Sequence, residues 1–208
     1  MKKIAILLFD EVEVLDFAGP FEVFSVTGQR QVGSPYEVFT VAEKNVVSAR
    51  NQLQIVPTYT FDQAAVPDLF LVPGGGGFHP NGTPFGSRRE MHNPAMLQLV
   101  QNWFTKSEYV LSVCTGALIL GNAGLLAGLQ ATTHFLAVES LKQIEPTATV
   151  HGHKRVVDNG KVILSAGVAA GIDMALYVVE KLQGKPVADE TAHYMQYDYW
   201  KQTPAIAH

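Results

Sequence analysis

The sequence predicts an α/β protein built on a mostly parallel sheet. Three observations carry that expectation. Apolar runs of strand length alternate along the chain with stretches of helical periodicity, the pattern of a sheet wound with helices. The strand-like runs, IAILLF (4–9) and LFLV (69–72) among them, are continuously apolar, as buried parallel strands are. Finally, the chemically active residues fall at the carboxyl ends of such runs, where open α/β sheets place their sites: Asp10 to Asp16, the glycines after Val72, and Cys114.

Taken in order, KKIAILLF (2–9) is the first strand, and FAGPFEVFSVTG (17–28) has helical spacing with Asp16 placed to cap it. YEVFTVAE (36–43) is the next strand. SARNQLQIVPTYT (48–60) alternates as short peripheral strands do, and DLFLVPGGGG (68–77) is a buried strand running into a glycine loop. NPAMLQLVQNWFTKS (93–107) is an amphipathic helix with Pro94 in its first turn. EYVLSVC (108–114) is a central strand, followed at once by a helix over 115–126. A strand at 129–135 and a helix at 136–146, stopped by Pro146, come next. Residues 147–167 read as strands with a hairpin at Asp158-Asn159-Gly160. A long buried helix spans 168–184, ending at Gly184, and a last helix covers about 186–198.

A chain of 208 residues, 47% hydrophobic and 16% charged, is long and apolar enough for one well-packed domain over 1–208. The net charge is −4 and no Lys/Arg cluster exists, so no nucleic-acid partner is expected. The start MKKIAILLFDEVEV offers two lysines and a short apolar run, but acids follow at once without a small-residue cleavage site; it reads as a strand and not a signal peptide. No stretch reaches the roughly 20 apolar residues that span a bilayer, so no membrane partner is expected. The single cysteine excludes an intramolecular disulfide and a multi-thiolate zinc site, and a reducing cytoplasm is the expected location.

That cysteine, Cys114, stands at a tight strand–helix junction. Its sulfur would sit at the positive end of a helix, so its pKa is expected below the usual ~8.5. Ser112-Val113-Cys114-Thr115-Gly116 parallels the G-x-S-x-G nucleophile elbow, with Ser112 for the first glycine and a strained backbone at the nucleophile. A buried, inert cysteine is the competing reading. Gly74–Gly77 let amides approach a ligand, and Gly74, Gly75 and Gly76 with the amide of Thr115 are expected to hold a developing negative charge; a flexible turn is the alternative. GGGGFHP lacks the lysine and Ser/Thr of a phosphate loop.

Asp16, between Leu15 and Phe17, is expected to be partly desolvated and suited to acid/base work, as a helix cap, or as both. Glu22 on the same helix faces either the site or solvent. Asp10, Glu11 and Glu13 read as a solvated turn. Of seven histidines, His134 ends a strand from which it can approach the sulfur. His151 and His153 have ligand-like i,i+2 spacing without a third ligand, so no metal and no cofactor are expected. His79, His92, His193 and His208 read as surface. Thr115, not histidine, follows the cysteine, so an adjacent Cys-His pair is absent.

The stretches LDFAGPFEVF, DLFLVPGG, SVCTGALILGNAGLLAGLQATTHF and SAGVAAGIDMAL resemble the ThiJ/PfpI superfamily, related to the class I glutamine amidotransferase fold, and within it the isonitrile hydratases. The resemblance spans 4–180. It implies a flavodoxin-like three-layer sandwich with helices on both faces of the sheet, a homodimer, and Cys114 as nucleophile supported by Asp16 and Thr115. PfpI-type peptidases carry histidine where Thr115 stands, and chaperone and deglycase relatives carry glutamate where Asp16 stands. Sensor-like domains of AraC-type regulators share the pattern but carry a helix-turn-helix region that this chain ends too early to hold. The segment 74–93 is longer than the family's tight loop and is expected to reshape the pocket. The implied reaction is hydration of an isonitrile to an N-substituted formamide through a thioimidate on Cys114. Glyoxalase or deglycase chemistry on the same thiol, and a non-catalytic redox- or ligand-sensing role, are the alternatives.

Overall fold

The computed structural model describes residues 1–198 and the backbone of a short strand at 206–207. Its centre is a sheet of eight strands. In chain order these are β1 (Lys3–Leu8), β2 (Glu37–Ala42), β5 (Tyr59–Thr60), β6 (Leu69–Val72), β9 (Tyr109–Val113), β12 (Val156–Asp158), β13 (Val162–Ser165) and β14 (Ile206–Ala207). Across the sheet they run β14-β12-β13-β9-β6-β1-β2-β5. Every pairing is parallel except β12 with β13, the hairpin expected at Asp158–Gly160. Gly160 turns it at φ +80°, with its amide on Asp158 Oδ1 at 2.7 Å. Three two-stranded ribbons lie outside: β3 (Val47–Ser48) with β4 (Gln54–Ile55), β7 (Gly76–Phe78) with β8 (Pro84–Gly86), and β10 (Gln130–Ala131) with β11 (Thr149–Val150).

Alternation along the central strands builds the three layers. Ile4, Ile6, Leu69, Leu71, Leu111 and Val113 point to one face, where α1 (Val14–Val26), α6 (Ala170–Gln183) and α7 (Lys185–Tyr194) bury Phe24, Met174 and Val187 against them. Ala5, Leu7, Phe70, Val72 and Val110 point to the other, covered by α3 (Pro94–Lys106), α4 (Gly116–Asn122) and α5 (Val138–Ile144) through Trp103, Leu118 and Leu141. Both faces are covered, which is why the strand runs are apolar throughout. Among the described residues no helix is long and apolar enough to cross a membrane.

Three expectations change. The helix placed at 17–28 begins at Val14, because Glu13 is fixed by its amide on Gly74 O at 3.0 Å and by the Arg50 guanidinium at 2.5 Å; Asp16 therefore lies inside the first turn and caps nothing. The strand expected over 129–135 is only two residues long. Beyond it the hydroxyls of Thr132 and Thr133 bond to the backbone at Lys154 O (2.7 Å) and Cys114 O (2.8 Å), drawing the chain off toward the elbow. The glycine-led segment 74–93 is ordered into the β7/β8 hairpin and a short helix, α2 (Ser87–Glu90).

Candidate active site

The site forms where β1, β6 and β9 end side by side. Val72 on β6 pairs with Ser112 on β9, so two residues further on Gly74 and Cys114 come level. Cys114 has φ +58°, the left-handed conformation that marks a nucleophile elbow and that a cysteine adopts only when its surroundings impose it. They do so from both sides. Its amide is shared between Ser165 O (3.2 Å) and Ala166 O (3.0 Å), and its carbonyl accepts from Thr133 Oγ1 at 2.8 Å. Gly116 makes the next step feasible: a Cβ there would sit 2.1 Å from Val72 O, so α4 can leave the sheet this tightly only with glycine at that position.

Asp16 is brought to the elbow from the first turn of α1. It is completely buried, and its Oδ2 accepts from the Gly74 amide at 2.9 Å. Oδ1 has no hydrogen-bond partner among the described residues. Burial pushes the carboxyl up from 3.8 to about 7, and the charge of Glu13 adds to the rise; the Gly74 amide and the facing Cys114 thiol work against it. At neutral pH this carboxyl is therefore present in both protonation states.

The thiol behaves oppositely to its expectation. Burial, and then the negative charge of Asp16, push Cys114 up from 9.0 to about 12. The amides of Thr115 and Val168 and the Thr115 hydroxyl all favour the thiolate without reversing that. A residue 5% exposed beside a carboxylate loses more from dehydration than one short helix end returns. The resting group is a neutral thiol, not a free thiolate.

The glycines also take parts that spacing did not reveal. The Gly74 amide is committed to Asp16, and the Gly75 amide to Thr115 Oγ1 at 3.0 Å. Gly76 belongs to the hairpin, paired with Gly86. Two of the expected oxyanion donors, the Gly74 and Gly75 amides, are thus already bonded within the protein, while the expected Thr115 amide does face the sulfur, together with that of Val168. The absence of a side chain at Gly74 is itself required: a Cβ would lie 2.4 Å from Thr115 N, 2.6 Å from Thr115 Oγ1 and 2.9 Å from Asp16 Oδ2.

His134 reaches the rim of this cluster. Its ring lies against Gly167 and stacks on Phe135 at 4.6 Å, and its Nδ1 accepts from the Leu136 amide at 3.3 Å. Burial, and then repulsion by Arg88, hold it below the ordinary histidine value. Glu22 is exposed. Asp10, Glu11 and Glu13 are not a free solvated turn. They pair with Lys44 (2.5 Å), Arg89 (2.8 Å) and Arg50 (2.5 Å), which straps this turn over Gly75. His151 pairs with Gln130 at 2.5 Å, and its ring is 6.1 Å from that of His153. Among the described residues no group of three metal-ligating side chains forms. His79, His92 and His193 are exposed, and His208 lies outside the described residues.

Two residues of the cluster escaped the sequence reading. Ser87 is fully buried, with Oγ 2.7 Å from both Gly75 O and Thr115 Oγ1. Its only signal was its place in the long segment after the glycines. Val168 has φ +44°, a strained setting for a β-branched residue, and it aims its amide at the sulfur. In the sequence it fell at the junction of the strands read over 147–167 and the helix read over 168–184, with nothing to mark it.

Comparison with known proteins places this geometry. The isonitrile hydratase of Pseudomonas putida is 33% identical over 195 residues, 94% of this chain and 78% of its own length. The Parkinson disease protein 7 homolog of Danio rerio is 25% identical over 190 residues, 90% of this chain and 93% of its own. A crystal structure of a ThiJ/PfpI family protein from Pseudomonas syringae superposes with a TM-score of 0.82 at 29% identity, covering 95% of this chain and 75% of that one. The sandwich is thus the flavodoxin-like α/β fold that the resemblance implied. With a family match running over residues 2–181, elbow and carboxyl included, the chain belongs to the DJ-1/PfpI family.

Proposed function

We propose that this protein is a cysteine-dependent hydratase that adds water to an isonitrile and releases an N-substituted formamide. One observation carries the reading: a neutral, buried thiol faces a buried carboxyl that titrates near 7. The terminal carbon of an isonitrile must receive both a nucleophile and a proton on the same atom. A thiol whose proton is taken by the adjacent carboxylate and passed to that carbon supplies both.

In the first step the Asp16 carboxylate accepts the thiol proton as Sγ bonds to the carbon of R–N≡C, and Asp16-H gives that proton to the same carbon. The product is the thioimidate R–N=CH–S. Water then adds to this carbon; Asp16 removes one of its protons while the nitrogen gains one, giving R–NH–CH(OH)–S. Collapse breaks the C–S bond, returns a proton to sulfur and frees R–NH–CHO. Dividing the hydration into two covalent stages is the usual gain from a cysteine nucleophile. A carboxyl titrating near 7 serves both directions of proton transfer at neutral pH. The likeness to a hydratase over 94% of the chain supports the substrate class. The burial and protonation of the thiol weigh against a role as an exposed oxidation sensor, which needs an accessible thiolate.

The test is steady-state hydration of cyclohexyl isocyanide, followed as formamide, for wild type beside Cys114→Ala and Asp16→Asn. Turnover in wild type and its loss in both variants is expected. A fully active Cys114→Ala, or turnover of methylglyoxal with none of the isocyanide, overturns the proposal.

A further inference from the structure

We propose that Ser87 is a positioning residue that makes Thr115 an obligate hydrogen-bond donor to the Cys114 sulfur. The inference follows from counting donors and acceptors. A threonine hydroxyl has one hydrogen and two lone pairs. One lone pair of Thr115 Oγ1 accepts from the Gly75 amide at 3.0 Å. Ser87 Oγ lies 2.7 Å from the same oxygen. If Ser87 donates there, both lone pairs are filled and the Thr115 hydrogen must point elsewhere.

Ser87 has a second acceptor in reach, Gly75 O at 2.7 Å, so its preference decides the direction of the relay. That carbonyl already receives the Ser87 amide at 3.1 Å and does not depend on the hydroxyl. The Thr115 hydroxyl has its own route to Gly75 O, but at 3.5 Å it is at the limit of a hydrogen bond. The Cys114 sulfur, whose charged form the Thr115 hydroxyl favours, is the other acceptor, and it gains most when it carries charge. As the proton leaves Sγ, the chain Ser87 O–H to Thr115 Oγ1, and Thr115 O–H to Sγ, aligns every dipole toward the developing thiolate. All three groups are buried, so no water competes for these bonds. The device is preorganised in the fold: Ser87 opens α2, directly after the hairpin whose glycine pair, Gly76 and Gly86, holds it against the elbow.

The inference rests on Cys114 being the reactive group but not on the identity of the substrate, so its test reads the thiol itself. Alkylation of Cys114 by iodoacetamide is followed from about pH 7 to 9.5 in wild type, Ser87→Ala, Thr115→Val and the double variant, with thermal melting confirming the fold of each. Loss of one hydrogen bond to the charged state is expected to slow Ser87→Ala about 3- to 10-fold at every pH in that range. Because Ser87 acts through Thr115, the double variant should be no slower than Thr115→Val alone. Ser87→Thr, which keeps the hydroxyl, should restore the rate to within about twofold. Unchanged alkylation in Ser87→Ala, or slowing that multiplies in the double variant, overturns the inference. Absence of isocyanide turnover with the alkylation pattern intact would instead remove the proposed substrate and leave the relay standing.

Discussion

Three aspartates are buried among the described residues, and they are treated in opposite ways. Asp158 and Asp173, at the α6 side of the sheet, are surrounded by donors. Asp158 takes Lys181 Nζ, Tyr177 OH and the Gly160 amide, each at 2.7 Å, while Asp173 takes Arg155 Nε and Tyr197 OH at 2.8 Å. Among the described residues Asp16, more deeply buried than either, has one amide and the facing Cys114 thiol, one oxygen without a hydrogen-bond partner, and no cation. A carboxylate whose charge is fully satisfied is a structural tie. One denied its counter-ion is held where a proton can come and go near neutral pH, at a cost to stability that a fold tolerates at a site of chemistry.

The largest effect separating the two kinds should be catalytic. Asp16→Asn keeps an acceptor for the Gly74 amide but cannot move a proton, so kcat/KM for isocyanide hydration should fall about 10²- to 10⁴-fold. Asp158→Asn should change it by less than about threefold. Equal losses in both variants would erase the distinction.

Stability should move the other way, and its pH dependence carries the sign. The Asp16 carboxyl is raised on folding from 3.8 to about 7, so the folded protein holds this proton more tightly than the unfolded chain does. That contribution is fully present below about pH 4 and is lost as pH rises through about 7. A shift of roughly three pH units corresponds to about 4 kcal/mol. Urea denaturation should therefore find Asp16→Asn gaining on wild type by up to about that amount between pH 4 and 8. Asp158→Ala, which strands Tyr177, Lys181 and the Gly160 amide, should lose about 3 kcal/mol at neutral pH. An Asp16→Asn protein with the same pH profile as wild type would mean that Asp16 is not the charge-strained member.

Much of the site was readable in the chain because it depends on local rules. A continuous apolar run ending in a lone cysteine, then a threonine and a glycine, specifies a strand, a sharp turn and a helix start, and Cys114 sits there with the strain expected of it. The acid at Asp16 was readable as a carboxyl among apolar neighbours, though its helix began a turn earlier than its spacing implied. What could not be read depends on contacts between distant segments. Ser87 touches Thr115 across 28 residues, and Val168 approaches the sulfur from beyond the end of the neighbouring strand β13. The thiol's direction of titration was misjudged for the same reason. A helix terminus is visible in sequence, but the depth at which folding buries the sulfur is not.

Gly74 links the comparison to backbone geometry. Gly74→Ala should place a methyl against Thr115 N, Thr115 Oγ1 and Asp16 Oδ2 together, forcing apart the two groups that flank the thiol. A displacement of the order of 1 Å at reacting groups costs about 10²-fold in rate, and that loss should appear in turnover with the protein still folded. No residue of the Asp158 cluster should yield a comparable loss of activity.

The smallest effect tests whether the cation is what makes Asp158 structural. Lys181→Met removes the charge while keeping much of the aliphatic stem, and leaves Asp158 with Tyr177 and the Gly160 amide. Since the Lys181 side chain is about 30% exposed, its pairing should be worth about 1 kcal/mol near pH 7. Asp158 stripped of its lysine then has the hydrogen bonds of a structural carboxylate without the cation, a step toward the state of Asp16. If the variant shows the full 3 kcal/mol loss of Asp158→Ala, the cation alone sets the difference between the two aspartates; if it shows none, the hydroxyl and amide donors do, and the missing donor at Asp16 Oδ1 becomes the feature that tunes its proton.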